Sequence, residues 1–331
     1  MPHVSIIVPC YNEQATIRLL LQALTCQTYP LGDLEVIIAD GLSSDGTRNE
    51  IIAFHKEHPE LSLTVVDNPK KTIPSGLNAG LSSAKGDLFI RMDAHSIPQN
   101  DYVERCVTAL EQGLGDNVGG VWQIRAGGPG WISRSIAAAA AHPLGVGDAL
   151  YRYTRQAGLV DTVPFGAFKR ELIKHIGPFD ESLLTNEDYE FNVRLRQQGG
   201  RVWLDPKIRS TYIARSSLHA LAQQYWRYGF WKARMLRRYP GTVRWRQALP
   251  PLFVVSLIGL LVISVWLQAA RLLLGLEMLL YGLALFAATV QISIRQKDFA
   301  LLGGVPLAVM TMHFCWAAGF LWSLVRPEKR I

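Results

Sequence analysis

The sequence predicts an α/β domain built on a parallel sheet, followed by an interfacial amphipathic helix and a C-terminal transmembrane segment. Three observations predict it: strand and helix patterns alternate over the first ninety residues or so, charge thins out sharply near residue 249, and three long apolar runs close the chain. Of 34 Lys/Arg and 27 Asp/Glu, only six and three lie in 249–331. The 331 residues are enough for one or two domains with a real core. The expected division is a soluble domain over 1–215, a basic aromatic helix region over 216–248, and about three membrane helices over 249–331.

Val4–Val8 is a short buried strand, followed by a helix of period near 3.6 from about Glu13 to Leu24. Glu35–Ala39 is a second strand, and a helix from Thr47 carries Ile51, Ile52 and Phe54. Leu63–Val66 is a third strand, with a helical stretch over Ser75–Ser83, and Leu88-Phe89-Ile90 is a fourth. Continuous apolar strands separated by helices imply a parallel sheet covered on both faces, with ligands gathered at the strands' carboxyl ends. The polar clusters Pro9–Glu13, Asp40-Gly41 and Arg91–His95 stand at those ends. No GxGxxG follows a strand and no GxxxxGK[ST] occurs, so the dinucleotide and P-loop readings lose their signature. Cys10, Cys26, Cys106 and Cys315 are far apart with no CxxC, which argues against a disulfide frame or zinc site.

From Lys207 to Arg246 there are ten Lys/Arg, no Asp or Glu, and interleaved aromatics. On a helix, Leu218, Leu221, Ala222, Tyr225, Tyr228 and Met235 share one side, and Arg227, Arg234 and Arg238 another. Directly before a membrane segment this pattern fits an anionic lipid surface, not nucleic acid. The runs 249–270, 272–294 and 299–325 are each long enough to cross a hydrocarbon core of about 30 Å. Glu277 and His313 within the runs are expected to play satisfied structural roles. No secretory signal opens the chain, so the soluble domain is expected in the cytoplasm. Three crossings then put the Arg295/Lys297 turn inside but the basic tail Arg326–Arg330 outside, against the positive-inside rule. Either upstream charge outvotes the rule, or one run does not cross.

Asp40, at a strand's carboxyl end, faces the ligand crevice, where it can accept hydrogen bonds from a nucleobase or ribose. Asp45 reads as a helix N-cap or a loop acid. Asp93 and His95 fall on one side of the chain beyond a strand, and a single carboxylate plus substrate phosphates is how Mg²⁺ is often held. Arg91 beside them suits a diphosphate. Glu187 and Asp188 open an amphipathic helix. They complement its dipole or supply a general base, with Phe165 and Phe179 as an apolar setting that raises its pKa.

Together these segments resemble family 2 glycosyltransferases of the GT-A (Rossmann-like) fold, over about residues 5–230. The likeness rests on Val8–Glu13, Asp40–Thr47, Gly76–Gly80, Asp93-Ala94-His95, and Phe179-Asp180-Glu181 leading to Asn186-Glu187-Asp188. Gln224-Tyr225-Trp226-Arg227-Tyr228 resembles the family's QxxRW element, and the nearest subgroup is the succinoglycan-biosynthesis type of glucosyltransferase. The resemblance implies that Pro9, Tyr11 and Asp40 hold a uridine, with Glu13, Asn78 and Arg91 completing the donor set. It implies that Asp93 reaches the metal and diphosphate, with His95 a second candidate ligand for Mg²⁺ or Mn²⁺. Asp188 is then the base that deprotonates the acceptor hydroxyl, while Glu187, Gln224, Arg227 and Tyr228 face the acceptor and diphosphate. Two departures matter: the usual DxD ends in His95, and QxxRW ends in Tyr228.

The implied reaction moves a hexose, glucose by analogy with the subgroup, from a UDP-sugar to a hydroxyl of a polyprenyl-diphosphate-linked sugar in exopolysaccharide synthesis. The implied setting is a multi-pass protein of the inner membrane with its catalytic domain cytoplasmic. The alternative is a polyprenyl-phosphate glycosyltransferase of the dolichol-phosphate mannose synthase type. Its acceptor is already an anion, so the Glu187-Asp188 pair argues against it.

Overall fold

The computed structural model describes residues 1–326. The first stretch of chain alternates β1 (Val4–Cys10), α1 (Ile17–Thr25), β2 (Leu34–Asp40), α2 (Thr47–Glu57), β3 (Ser62–Asp67), α3 (Ile73–Ser83) and β4 (Leu88–Arg91). It continues through β5 (Ile97–Pro98), α4 (Tyr102–Glu111) and β6 (Asn117–Arg125) into α5 (Trp131–Ala140) and α6 (Pro143–Val146). Then follow β7 (Gly158–Leu159), β8 (Ala167–Lys169), α7 (Arg170–Ile176), α8 (Glu187–Gln197) and β9 (Val202–Ile213). The chain closes with α9 (Leu218–Arg238), α10 (Trp245–Ile263), α11 (Gln268–Gln296) and α12 (Leu301–Val325).

Two compact units result. One comprises 1–123 and 153–212, the other 124–152 and 213–331. Residues 124–152, which fall inside the 1–215 domain expected from sequence, thus cluster with the C-terminal helices.

In the first unit the sheet order is β3-β2-β1-β4-β8-β6-β9-β5, with β7 beside β9. Strands β3, β2, β1 and β4 are parallel, with Val4 opposite both Leu34 and Leu88. β1 is apolar nearly throughout because helices cover both its faces: Ile17, Leu20, Leu21 and Leu24 of α1 are fully buried, as are Val4, Ile6 and Val8. Each such side chain contributes about 1.5–3 kcal/mol. On the opposite face, Gly80 of α3 comes so near Ile7 that an added Cβ would lie 2.4 Å from its Cγ2.

The four strands read from sequence are parallel as expected, and the sheet extends beyond them, with β3 less covered than the reading implied. Beyond β4 the sheet turns antiparallel: Phe89 pairs with Phe168 and Val118 with Ala167. The chain reaches β8 from the long 126–166 excursion and not by a short crossover, so nothing forces it to run parallel. β3 is an edge strand, and Val65 is 39% exposed. Helix α1 begins at Ile17, not Glu13, because residues 12–14 spend their polar groups on the 43–47 loop. In α2, Ile51 and Phe54 are buried while Ile52 faces solvent.

In the second unit, α10, α11 and α12 are long and apolar enough to cross a membrane. The apolar face of α9 is covered by protein, not left for lipid. Leu221, Tyr225 and Met235 are buried, and α9 packs on α12. Gly229 and Gly319 permit the approach, since a Cβ on either would meet the Trp316 or Trp226 carbonyl oxygen at 2.1 Å. Of the basic tail, residues 327–330 lie outside the described ones.

Candidate active site

The first wall of the site is made by two loops laced together at the carboxyl ends of β1 and β2. The Asn12 N–H donates to Ser43 Oγ (2.9 Å), and its Oδ1 accepts from the Ser44 N–H (2.9 Å). The Glu13 N–H donates to Thr47 Oγ1 at 2.8 Å. Asn12 itself adopts φ 55°, a left-handed conformation that Asn tolerates. The lacing leaves Tyr11 on the surface, 45% exposed, with the Lys71 ammonium 5.4 Å from its ring centroid. Asp45 accepts from the Thr47 N–H at 3.0 Å, so it acts as a cap although Gly46 is the capping position of α2. The Thr47 hydroxyl is the main cause holding the Asp45 carboxyl below its ordinary range.

Asp40 is fully buried. Its Oδ1 accepts from Ser43 Oγ (2.5 Å), its Oδ2 from the Ser43 N–H (3.1 Å) and from Arg48 Nε. Arg48 also reaches Asp67 at 2.5 Å. The Asp40 carboxylate, expected at the uridine, is thus directed to its own loop, and the cation that bridges it outward is Arg48. Sequence reasoning missed Arg48, because its guanidinium is one among many on helix surfaces.

The second wall joins the end of β4 to the start of α8. Arg91 Nη2 lies 3.0 Å from Asp93 Oδ1 and 3.0 Å from Glu187 Oε1, and its guanidinium lies 5.7 Å from the Phe165 ring centroid. Arg91 is only 7% exposed. Burial opposes its charge, but Asp93, Glu187 and Asp188 outweigh that and raise its pKa above the ordinary value. Arg91, assigned by sequence to the donor diphosphate, is therefore spent on fixing two acids that stand 94 residues apart in sequence.

Glu187 is buried, whereas Asp188 beside it is half-buried. Asp188 Oδ1 accepts from the Tyr189 N–H at 2.7 Å. Burial, and then the Asp188 charge, push the Glu187 carboxyl up to about 7 against the pull of Arg91. Phe179 stacks on Phe191 at 4.6 Å, and Phe165 lies against the Arg91 guanidinium. The raised value has a consequence for stability. The folded state keeps a proton on Glu187 that the unfolded chain releases, so this contribution is full below pH 4.5 and is lost as pH rises through about 7. Glu187→Gln is expected to remove that loss. Its melting temperature should gain on the parent's as pH climbs from 4.5 to about 7, and a pH-independent difference would refute the assignment.

His95 Nδ1 lies 3.0 Å from Glu13 Oε1, a contact that ties the two walls together. Pro9 is half-buried at the end of β1. Asn78 uses its amide elsewhere: Nδ2 donates to the Phe179 carbonyl and to Glu181 Oε1, and Oδ1 accepts from the Phe179 N–H, each at 2.9 Å. It clamps the 179–181 segment ahead of α8. In the second unit, Gln224 Nε2 donates to Tyr228 Oη at 2.9 Å, and Arg227 is exposed.

Among the described residues no three His, Cys, Asp or Glu side chains gather into a metal cage. Asp93, an oxygen donor with His95 two residues on, fits a hard divalent cation whose remaining ligands come from a substrate diphosphate and water.

Residues 5–177 match the family model described as glycosyl transferase family 2. The chain is 31% identical to succinoglycan biosynthesis protein ExoA of Rhizobium meliloti, covering 98% of this chain and 96% of that protein. It is 26% identical to a dolichyl N-acetyl-α-D-glucosaminyl phosphate 3-β-D-2,3-diacetamido-2,3-dideoxy-β-D-glucuronosyltransferase of Methanococcus voltae, covering 99% of each. Among solved structures it resembles the mannosyltransferase PcManGT of Pyrobaculum calidifontis, in complex with GDP-Man and Mn²⁺. The TM-score is 0.66 at 20% identity, over 99% of this chain and 88% of that one, a likeness of fold. By the family match, the near full-length relatives and the sheet with its acidic site, the chain belongs to glycosyltransferase family 2 and is a glycosyltransferase of the GT-A fold.

Proposed function

We propose that this enzyme transfers a hexose from a UDP-sugar, with inversion, to a hydroxyl of a polyprenyl-diphosphate-linked sugar during polysaccharide synthesis at the inner membrane. The observation that carries the reading is the acid pair at the start of α8, tied through Arg91 to Asp93. The succinoglycan relative supports the polysaccharide setting, and the Methanococcus relative's name specifies a sugar phosphate on a lipid and a β-linked product.

Asp188, the less buried of the two acids, takes the proton of the acceptor hydroxyl. The oxygen attacks the anomeric carbon from the face opposite UDP, the bond to the diphosphate oxygen breaks, and UDP leaves. Glu187 and Arg91 hold Asp188 and Asp93 in place. Mg²⁺ or Mn²⁺, when bound, neutralises charge on the departing diphosphate, and Asp93 with His95 would hold it. Tyr11 offers a stacking face to the base, as Pro9 does a flat edge, and Glu13 orients His95. Asp40 and Asn78 act by setting the loops.

Membranes containing the protein, incubated with a panel of UDP-sugars and lipid-linked acceptors, should yield an extended lipid whose mass identifies the sugar. Product on polyprenyl phosphate alone would move the reaction to the phosphate-acceptor class. Gln224→Ala and Arg227→Ala are expected to lower turnover at least tenfold, or about 1.4 kcal/mol, while membrane attachment persists. Normal turnover in both would leave α9 as an anchor only.

A further inference from the structure

By length and composition α12 is a third membrane span, yet 39% of its most apolar window is buried in protein, against 11% for α10 and 17% for α11. Besides α10 and α11, its neighbours are α5, α6 and α9. At one end, Arg134 Nε of α5 lies 2.7 Å from Asp298 Oδ2, just before α12. At the other, Arg237 Nη2 of α9 donates to the carbonyls of Ser323 (2.6 Å) and Leu324 (2.8 Å). At 1.5 Å per residue these anchors lie about 39 Å apart, more than a hydrocarbon core of about 30 Å. A spanning α12 would need Arg134 and Arg237 on opposite faces of the bilayer.

Chain connectivity forbids that. Helix α5 has ten residues, half the length needed to cross, and it is flanked by β6 and β7 of one sheet. Helix α9 follows β9 of the same sheet and carries Arg227, Lys232, Arg234, Arg237 and Arg238, too many charges for a span. Both anchors therefore stay on the side where the sheet forms.

The middle of α12 is also tied to α6 and to the first turn of α10. His313 Nε2 lies 2.8 Å from the Leu144 carbonyl oxygen of α6, and Trp316 Nε1 donates to the Gln247 carbonyl at 3.4 Å. Gln247 is in the first turn of α10, which is held to Asp148 by Arg244 and Arg246. The centre of α12 thus meets α6 and the first turn of α10, and His313 Nδ1 also lies 3.1 Å from the Tyr281 hydroxyl of α11.

We infer that α12 lies along the membrane surface and that only α10 and α11 cross, as a hairpin, with the exposed face of α12 (Leu302, Leu307, Met310, Trp322) set into the acyl region of one leaflet. Two crossings return the tail to the starting side. Arg295, Lys297 and Arg326 then share one face with the basic α9, and Arg271 is left opposite. The violation of the positive-inside rule disappears.

The test uses the full chain with epitope tags at the N-terminus, in the 264–267 turn and after Ile331, digested by protease in inside-out and right-side-out vesicles. The N- and C-terminal tags are expected to be cut in the same vesicles and the turn tag in the others. A C-terminal tag cut together with the turn tag would establish a third crossing and overturn the inference. A turn tag cut together with the N-terminal tag would show that the hairpin does not cross, and would overturn it equally. The variant tagged only at its two termini has both helices undisturbed and decides whether the number of crossings is even or odd.

Discussion

Asp93→Ala is expected to abolish transfer and to weaken UDP-sugar binding. On the proposed function the diphosphate binds beside acids: Glu13, Asp93, Glu187 and Asp188 cluster around the end of β4 or are tied to it. Without a counter-ion those charges repel the donor. A metal held at Asp93 would supply several kcal/mol of stabilisation to the leaving group, a factor of a thousand or more. There is a structural competitor to this reading, because Asp93 also partners the buried Arg91. Removing one partner of a buried pair costs about 3–5 kcal/mol when nothing replaces it, but Glu187 still pairs with Arg91 here. Donor binding titrated with and without Mn²⁺, together with the melting temperature, separates the two. Metal-independent donor affinity in the parent, or full transfer in EDTA, would reduce Asp93 to an anchor for Arg91. His95→Ala refines the result: loss of a direct ligand raises the metal concentration for half-maximal rate.

What the sequence disclosed and what it hid divide along one physical line. Strands β1 to β4 and the helices between them are written in local apolar runs, so periodicity finds them. The antiparallel half is not. β8 has three residues, and its partner β4 lies some eighty residues upstream, so no local pattern marks the pairing. The same holds at the site. Asp93 and Asp188 stand out because a strand's end and a helix's start are places where carboxylates meet ligands. The contacts of Arg91 to Glu187 and of Arg48 to Asp40 and Asp67 are products of folding.

Amphipathicity shows the same limit in α9. A stripe of Leu221, Tyr225 and Met235 states that one face is buried, but not whether lipid or protein buries it. The glycines at 229 and 319 decide it, and they become meaningful only once their helices are seen to cross. Likewise the apolar run of α12 fixes its affinity for hydrocarbon, while its direction is set by Arg134 and Arg237, outside the run.

Asp188→Asn is expected to lower the transfer rate by roughly 10²–10⁴-fold while leaving UDP-sugar affinity nearly unchanged. A sugar hydroxyl is a poor nucleophile at neutral pH and needs a carboxylate within hydrogen-bond reach as the new bond forms. The neighbouring acid is poorly placed to act as that base, because Glu187 is 4% exposed and directed at Arg91. Asparagine keeps the size of Asp188 and can still accept from the Tyr189 N–H, so the fold loses little. It also removes the charge that helps raise the Glu187 pKa, so that carboxyl should titrate lower in the variant. The competing role for Asp188 is favourable charge in the first turn of α8, worth about 0.3–1 kcal/mol. That role predicts a small drop in melting temperature and near-normal chemistry. Donor binding, melting temperature and single-turnover transfer on one preparation distinguish the outcomes. If transfer stays within a few-fold of the parent, Asp188 leaves the mechanism and an acceptor that is already an anion, a polyprenyl phosphate, becomes the better substrate.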